Sequence, residues 1–276
     1  MTDKGFSKSS TVPMRDAKTF MLAFRKRVRK TQGDKAQVDD FLQSKLAKLN
    51  ESLLAALPLV FARLTADQLP DERKNIARLF GYFGNSIGQF PLGDKKLNLE
   101  LSISAYQLAL KVFTREAFPQ DWAMTQNNLA NAYSDRIRGE RAENLEQAIT
   151  AYELALQVYT REAFPEDWAA TQNNLASAYL YRIRGERAEN LEQAIAAYEL
   201  ALQVRTREAF PEKWAMTQNN LANAYSDRIR GERAENLEQA IAAYELALQL
   251  YTPEAFPEKW AGTQNNLANA YRDRIR

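Results

Sequence analysis

The chain has 276 residues, with 37 Lys and Arg, 35 Asp and Glu, and neither His nor Cys. The lack of Cys excludes disulfides, a thiolate nucleophile and a zinc–thiolate site, and the lack of His excludes Ser-His-Asp catalysis and imidazole metal ligands. An apolar content of 45% with 26% charged residues is that of an ordinary soluble protein. No signal peptide or membrane-spanning run is recognisable. We therefore expect a cytoplasmic, non-catalytic protein without a cofactor, a metal or a small-molecule substrate.

Residues 1–33 are predicted to form an N-terminal arm that is either disordered or a basic amphipathic helix. Residues 1–14 are polar, which is typical of disorder, whereas five cations within residues 25–30 stand close to apolar side chains. Cations at this density can contact nucleic acid or an anionic membrane through residues 15–30. A solubilising tail or a connector to a partner is the favoured interpretation, because short basic runs are common.

Residues 34–70 are predicted to form a helical N-terminal cap. Leucines recur at helical spacing through this segment, at Leu42, Leu46, Leu49, Leu53 and Leu57. Pro58 is expected to kink or divide the helix, because proline lacks the backbone N–H that a helix interior needs. We expect the cap to cover the apolar stripe that the first repeat leaves open.

From residue 71 to residue 276 the chain is organised by a repeat of 46 residues. The segment Phe-Pro-x-x-Trp begins at Phe118, Phe164, Phe210 and Phe256. The array divides into a degenerate copy at 72–117, three full copies at 118–163, 164–209 and 210–255, and a half copy at 256–276. Arrays of this kind are stable because each copy stacks on its neighbours.

The first half of each copy predicts an amphipathic helix, and the third copy illustrates it. Pro211 suits a first helical turn, where its missing N–H costs nothing. Four apolar residues then fall on one side of the helix: Trp214, Leu221, Tyr225 and Ile229. One Trp per copy on this stripe is interpreted as core packing rather than as a stacking platform for a ligand.

The second half of each copy predicts another amphipathic helix. Gly231 indicates the end of the first helix, and Asn236 with Gln239 indicates a capping box at the start of the second. The second stripe consists of Leu237, Ala240, Ile241, Tyr244, Leu248 and Tyr251. Neither helix can bury its stripe alone, and no segment alternates with a period of two. We therefore predict an all-α fold in which stacked helix pairs share a core.

Two segments of the third copy, 218–225 and 239–248, resemble the tetratricopeptide repeat. The positions that fit the family are Leu221, Ala222 and Tyr225 in the first helix and Ala240, Tyr244 and Ala247 in the second. The period of 46 residues exceeds the usual value of about 34. In this respect the chain is similar to kinesin-light-chain-like repeats and to bacterial arrays found with CHAT peptidases. The resemblance implies a right-handed α-solenoid with its first helices lining a concave groove.

The resemblance places one polar side of the first helices in that groove. Asn amides both donate and accept hydrogen bonds, which suits the unpaired backbone groups of an extended peptide. The candidate partner-binding residues are Asn127, Asn131, Asp135, Arg138, Asn173, Ser177, Tyr181, Arg184, Asn219, Asn223, Asp227, Arg230, Asn265, Asn269 and Asp273. A merely solvated side, repeated because the copy was duplicated whole, is the alternative interpretation.

The second copy departs from its neighbours at positions that bear on binding. Leu180 and Tyr181 stand where the other full copies have Ser and Asp, and Arg205 stands where they have Tyr. Tyrosine is favoured at binding hot spots, so Tyr181 is a candidate ligand anchor. Neutral drift is the simpler explanation, because isolated exposed apolar residues are normal.

Two functions are compatible with these features. One is a protein–protein interaction scaffold or sensor arm that binds a peptide or partner protein in the groove. The other is self-assembly into a homo-oligomer. The last copy stops after its first helix, so an open edge is expected at Trp260, Leu267, Tyr271 and Ile275. Either another copy of the chain covers this edge, or the sequence is a piece of a longer array.

Overall fold

The computed structural model describes residues 11–274. The chain divides into two compact units, Met1–Gly139 and Glu140–Arg276. Unit 1 contains α1 (Thr11–Thr31), α2 (Lys35–Ser44), α3 (Glu51–Thr65), α4 (Pro70–Gly88), α5 (Lys95–Ala109) and α6 (Pro119–Ser134), and unit 2 contains α7 (Arg141–Leu156), α8 (Pro165–Leu180), α9 (Arg187–Leu202), α10 (Pro211–Asp227), α11 (Arg233–Leu248) and α12 (Pro257–Arg274). Every regular element in the described range is helical, which confirms the all-α prediction. None of these helices is both long and apolar enough to cross a membrane.

Helix α1 is packed into the core of unit 1. Its apolar side chains Phe20, Met21 and Phe24 are buried, and the helix packs against α2 and α3. The ring of Phe24 meets that of Phe83 in α4 nearly edge-on, with centroids 5.3 Å apart. The basic segment 15–30 therefore belongs to a packed amphipathic helix, while residues 1–10 of the predicted arm lie outside the described residues.

Helices α2 and α3, with a 3-10 turn (Leu46–Lys48) between them, occupy the segment where the sequence predicts a cap. Asp34 and Asn50 cap the two helices, each accepting a hydrogen bond from a backbone N–H at 3.0 Å. Helix α3 continues through Pro58 as one helix. It packs against α4 and α5, which are the helix pair in the predicted degenerate copy.

In unit 2 each of the second helices α9 and α11 lies between two first helices. Helix α9 packs against α8 of its own copy and α10 of the next copy. Leu191 and Tyr198 of α9 share one cluster with Ala176 of α8 and Leu221 of α10. Helix α11 repeats this arrangement between α10 and α12, with Tyr244 in the corresponding place. The predicted sharing of a core between stacked helix pairs is therefore present in unit 2.

The first helix of the third copy ends earlier than the sequence indicates. Helix α10 ends at Asp227, so Ile229 lies beyond it and is 59% exposed instead of belonging to the apolar stripe. Gly231 has a φ of +79°, a conformation that glycine adopts without strain. It does so inside the loop rather than at the end of the helix. Sequence periodicity overestimated the helix because Ile229 happens to continue the spacing.

The predicted capping box at the start of the second helix is wrong. Helix α11 begins at Arg233, and Asn236 lies inside its first turn. The Asn236 side chain is buried, and its Nδ2 donates to the backbone carbonyl of Arg230 at 2.8 Å. A buried amide needs a hydrogen-bond partner, and here that partner lies in the preceding loop. Asn236 therefore fixes the loop to the helix instead of capping the helix.

Candidate partner-binding face

The first helices of unit 2 are neighbours, because α10 contacts both α8 and α12. We call the polar sides of these helices the first-helix face; it carries Asn173, Ser177 and Tyr181 of α8, Asn219, Asn223 and Asp227 of α10, and Asn265, Asn269 and Asp273 of α12. An open pocket of about 230 Å³ lies between α10 and α12, lined by Met216, Asn219 and Gly262 among others. Gly262 stands where the preceding copy has Met216, so a missing side chain contributes this space.

Several of the predicted Asn side chains are used between copies. The Oδ1 of Asn173 accepts a hydrogen bond from the hydroxyl of Thr217 at 3.2 Å, and the Oδ1 of Asn219 accepts one from Thr263 at 3.0 Å. Both threonines are buried. These amides therefore connect one first helix to the next, and their capacity to accept a hydrogen bond from a partner is reduced.

A related contact is missing between the second and third copies. In the third copy, the Oδ1 of Asn223 accepts hydrogen bonds from the Tyr244 hydroxyl at 2.6 Å and from Nδ2 of Asn266 at 3.2 Å. The second copy has Ser177 at this place, and its hydroxyl lies 2.8 Å from the Tyr198 hydroxyl. Asn220, the equivalent of Asn266, makes no side-chain hydrogen bond to any described residue. Its amide is therefore available on the first-helix face.

The charged candidates near the helix ends form surface ion pairs. Arg184 pairs with Glu143 at 2.9 Å, and Arg230 pairs with Glu189 at 2.8 Å. Asp227 accepts a hydrogen bond from the Arg187 guanidinium at 3.1 Å, and Asp273 lies 4.0 Å from Arg233. Exposed pairs of this kind contribute little to stability. A partner can therefore exchange with them at small cost.

A second set of arginine–glutamate pairs joins the copies more firmly. Arg182 donates two hydrogen bonds to the carboxylate of Glu146, and Arg228 donates two to Glu192, all at 2.7–2.8 Å. The arginine hydrogen bonds lower the pKa of both glutamates, since they favour the ionised form. Paired donors in this fork geometry also fix direction. The pairs therefore hold successive copies in one register, which sequence inspection did not reveal.

In unit 1 the candidates lie in α6 and directly after it. Asn127 and Asn131 are half-buried, and Asp135 is exposed. Arg138 donates a hydrogen bond to Glu51 of α3. This part of the predicted face is therefore tied to the cap through Arg138.

The three substitutions in the second copy have different surroundings. Tyr181 is 62% exposed at the end of α8, as a ligand anchor would need to be. Leu180 is buried in the core cluster with Leu191 and Ile195. Arg205 is also buried, at 4% exposure. The sequence could not distinguish these cases, because an isolated copy does not show what the next copy covers.

Arg205 is held by few and long contacts. Its Nη1 lies 3.4 Å from the Thr217 hydroxyl, and its Nη2 lies 3.4 Å from Oε1 of Glu166. Burial lowers the pKa of Arg205 because it disfavours the charged form. Its Nε and the Oε2 of Glu166 are buried without a partner among the described residues. A buried charge with incomplete hydrogen bonding is expected to cost stability.

Two of the four tryptophans are buried in the core, in agreement with the sequence interpretation, and Trp168 and Trp260 are half-buried. Trp122 and Trp214 are buried, and Trp214 packs with Ala215, Ala247 and Tyr251. The indole rings therefore contribute to packing between the helices of the array.

The predicted assembly edge on α12 is partly covered. Leu267 is 8% exposed because it packs in the α11 cluster. Trp260 and Tyr271 are half-buried, and Ile275 lies outside the described residues. This stripe faces the preceding second helix, so it is not an open side of the last helix.

A different side of α12 is open. Ala261 and Ala268 are exposed, whereas their equivalents in α10, Ala215 and Ala222, are fully buried.

Comparison with known proteins agrees with this geometry. The family described as tetratricopeptide repeat matches residues 122–161, 168–207 and 214–252. No curated protein matches the chain. Among solved structures, the chain is similar to the crystal structure of BtubC (BKLC) from P. vanneervenii, with 17% identity, a TM-score of 0.54, and coverage of 90% of this chain and 95% of that one. At this identity the similarity concerns the fold.

Each family match begins at the Trp of one full copy and extends over its helix pair. The register of the matches is therefore the register of the 46-residue repeat, and the shared core and fold similarity agree with it. The three full copies are tetratricopeptide repeats.

Proposed function

We propose that the chain is a non-catalytic interaction scaffold or sensor arm that binds an extended segment of a partner protein on its first-helix face, in a concave groove. Tetratricopeptide repeats generally mediate protein–protein interaction. The observation that carries the proposal is the difference of the second copy: its Ser177 leaves the amide of Asn220 in the third copy unpaired, and the ring of its Tyr181 is exposed.

These two side chains offer complementary contacts to a peptide. A carboxamide can donate to a backbone carbonyl and accept from a backbone N–H, which are the groups that an extended segment leaves unpaired. An exposed tyrosine provides a large and rigid surface for an apolar side chain at a low cost in conformational entropy. Together they support binding by main-chain hydrogen bonds and one side-chain anchor.

The hydrogen bonds between copies make this surface rigid. The Asn–Thr contacts and the paired Arg–Glu contacts connect successive helices of unit 2. A surface that is ordered before binding loses less entropy on association. We therefore assign the paired Asn side chains a positioning role and the unpaired Asn220 a contacting role.

Exchanges between copies test this proposal. Tyr181→Asp introduces the residue that neighbouring copies carry, so folding is expected to be retained. The partner is first captured by the full chain and then purified. Titration calorimetry should show that Tyr181→Asp raises the dissociation constant about 30-fold, the equivalent of about 2 kcal/mol. Asn220→Ala should raise the dissociation constant about fivefold, as expected for the loss of one hydrogen bond.

The matched control is Ala196→Thr, which introduces the residue of the first copy on an exposed position of α9. It should leave the dissociation constant unchanged. Equal affinity for the wild type and both face variants, or an equal loss in the control, would show that the partner binds elsewhere.

Self-assembly is a second candidate, supported by the open side of α12 at Ala261 and Ala268. Ala268→Glu should abolish concentration-dependent association in sedimentation velocity, because a buried unpaired carboxylate is costly. Ala242→Glu, on an exposed position of α11, is the control and should associate as the wild type does. A wild-type chain that sediments as a monomer at all micromolar concentrations would refute this candidate.

A further inference from the structure

Helix α1 carries an unusual excess of positive charge for a packed helix. It contains seven basic residues and one acidic residue in 21 positions. Because its apolar side faces the core of unit 1, cations such as Arg15, Lys26 and Arg29 are exposed. Basic residues in the last turn stabilise a helix, but its C-terminal dipole corresponds to only about half a negative charge. Helix stability therefore does not account for this excess.

One side of α1 borders an open pocket of about 220 Å³. The pocket combines apolar and cationic walls. Val28 of α1 and Leu79 and Tyr82 of α4 supply the apolar part, while Arg25, Arg29 and Arg78 supply three guanidinium groups. The Tyr82 hydroxyl donates to the backbone carbonyl of Gly33 at 2.7 Å, which fixes its ring in place. We call this site the α1–α4 pocket.

The charged side chains that line the α1–α4 pocket are all cationic. Arg25 pairs with Glu72 at 3.4 Å, and Arg78 and Lys74 share Asp121 at 3.3 and 3.9 Å. Arg29 makes no ion pair with any described residue. Three cations line the pocket; Glu72 and Asp121 pair with two of them, and Asp34 and Asp39 lie near Tyr82. The pocket therefore attracts anionic groups while offering an apolar interior.

We propose that the α1–α4 pocket binds an acidic segment of a partner protein, with one apolar side chain inside the pocket and flanking carboxylates on the arginines. The volume is below the roughly 300 Å³ at which small-molecule pockets begin, and so it suits a single side chain. Guanidinium groups bind carboxylates through paired hydrogen bonds. This surface lies in unit 1 and is independent of the first-helix face.

Two other anionic partners fit less well. An amphipathic helix binds a membrane by placing its apolar side in the bilayer interface, but the apolar side of α1 is buried within unit 1. A nucleic acid presents a continuous row of phosphates, which Glu72 and Asp121 would repel. A peptide can place neutral residues opposite these two carboxylates, so a protein segment is the better match.

The experiment measures binding of a short fluorescein-labelled peptide, in which one leucine lies between glutamates, to the full chain by fluorescence anisotropy at low salt. Replacing the glutamates of the peptide by glutamine, or its leucine by serine, should raise the dissociation constant about tenfold in each case. A random-sequence DNA duplex and phosphatidylcholine vesicles containing phosphatidylserine serve as competing anions. The acidic peptide should bind more tightly than either.

Three variants locate the binding. Arg29→Glu reverses the unpaired cation and should weaken binding of the peptide about tenfold. Asn75→Trp fills the pocket from an exposed position in its lining without changing charge, and should abolish the preference for leucine over serine. Lys111→Glu makes the same charge change on an exposed position of unit 1 away from the pocket, and should bind as the wild type does. Circular dichroism verifies that each variant is folded.

Three results would overturn the proposal. The first is that the peptide does not bind at millimolar concentration. The second is that the duplex or the vesicles bind more tightly than the peptide and that Arg29→Glu abolishes this binding. The third is that Asn75→Trp still prefers leucine to serine in the peptide.

Discussion

Tyr244→Ala is expected to lower the free energy of unfolding by about 3–5 kcal/mol, as for other large aromatic truncations in cores. Tyr244 is fully buried between α10 and α12, so its removal leaves a cavity at the contact between two copies. Its hydroxyl also donates to Asn223 at 2.6 Å, and that acceptor loses a partner. Urea unfolding followed by circular dichroism measures the change.

Tyr181→Ala is the matched control in the same unit. Because this ring is exposed, its truncation should change the free energy of unfolding by no more than about 0.5 kcal/mol. Similar losses in the two variants would contradict the arrangement of the core described above, since that arrangement depends on each second helix being enclosed by two first helices.

Arg205→Tyr is expected to raise the free energy of unfolding by about 1–4 kcal/mol, because an apolar ring replaces a buried cation while Glu166 keeps its ion pair with Lys213 at 2.7 Å. The equivalent tyrosines Tyr159 and Tyr251 are buried, and their rings meet Phe164 and Phe256 with centroids 5.6 and 5.5 Å apart. A tyrosine in place of Arg205 can make the same contact with the next Phe. It also removes a cation that has incomplete hydrogen bonding.

Glu166→Gln tests the same site from the other side. It leaves the buried guanidinium of Arg205 without its carboxylate, which should lower the free energy of unfolding by about 2 kcal/mol, a value reduced for the partial exposure of Glu166. The double variant should recover the stability of Arg205→Tyr, because the first copy carries Gln120 together with Tyr159. Destabilisation by Arg205→Tyr alone would show that this arginine contributes favourably to the core.

The main features of the fold were predictable from the sequence because they depend on spacing along one helix. The period of the apolar residues predicted paired helices, and the 46-residue period predicted that the pairs stack. The tryptophan positions predicted core packing, and the shared positions around Leu221 and Tyr244 predicted the family. Each of these inferences requires knowing only which side of a helix is apolar.

The candidate site was less predictable because it depends on contacts between copies. Asn173 and Asn219 were predicted to line a groove, and they lie on the first-helix face, but their acceptors are used by Thr217 and Thr263 of the next copy. Asn220 was not singled out at all. A comparison of Ser177 with Asn223 contained the signal, but its meaning required the contact between Asn223 and Asn266.

The sequence by itself determined that this protein is a stack of helix pairs, since the burial of an apolar stripe is dictated by periodicity and needs no particular partner. Only the tertiary structure decided which polar groups remain available. A hydrogen bond or ion pair joins atoms at defined distances, and here the two partners lie far apart in the sequence: Arg182 and Glu146 are 36 residues apart, and Arg138 and Glu51 are 87 residues apart. Tertiary packing likewise placed the cations of α1 beside Leu79 and Tyr82 of α4, because the distance between two helices is set by the core they share.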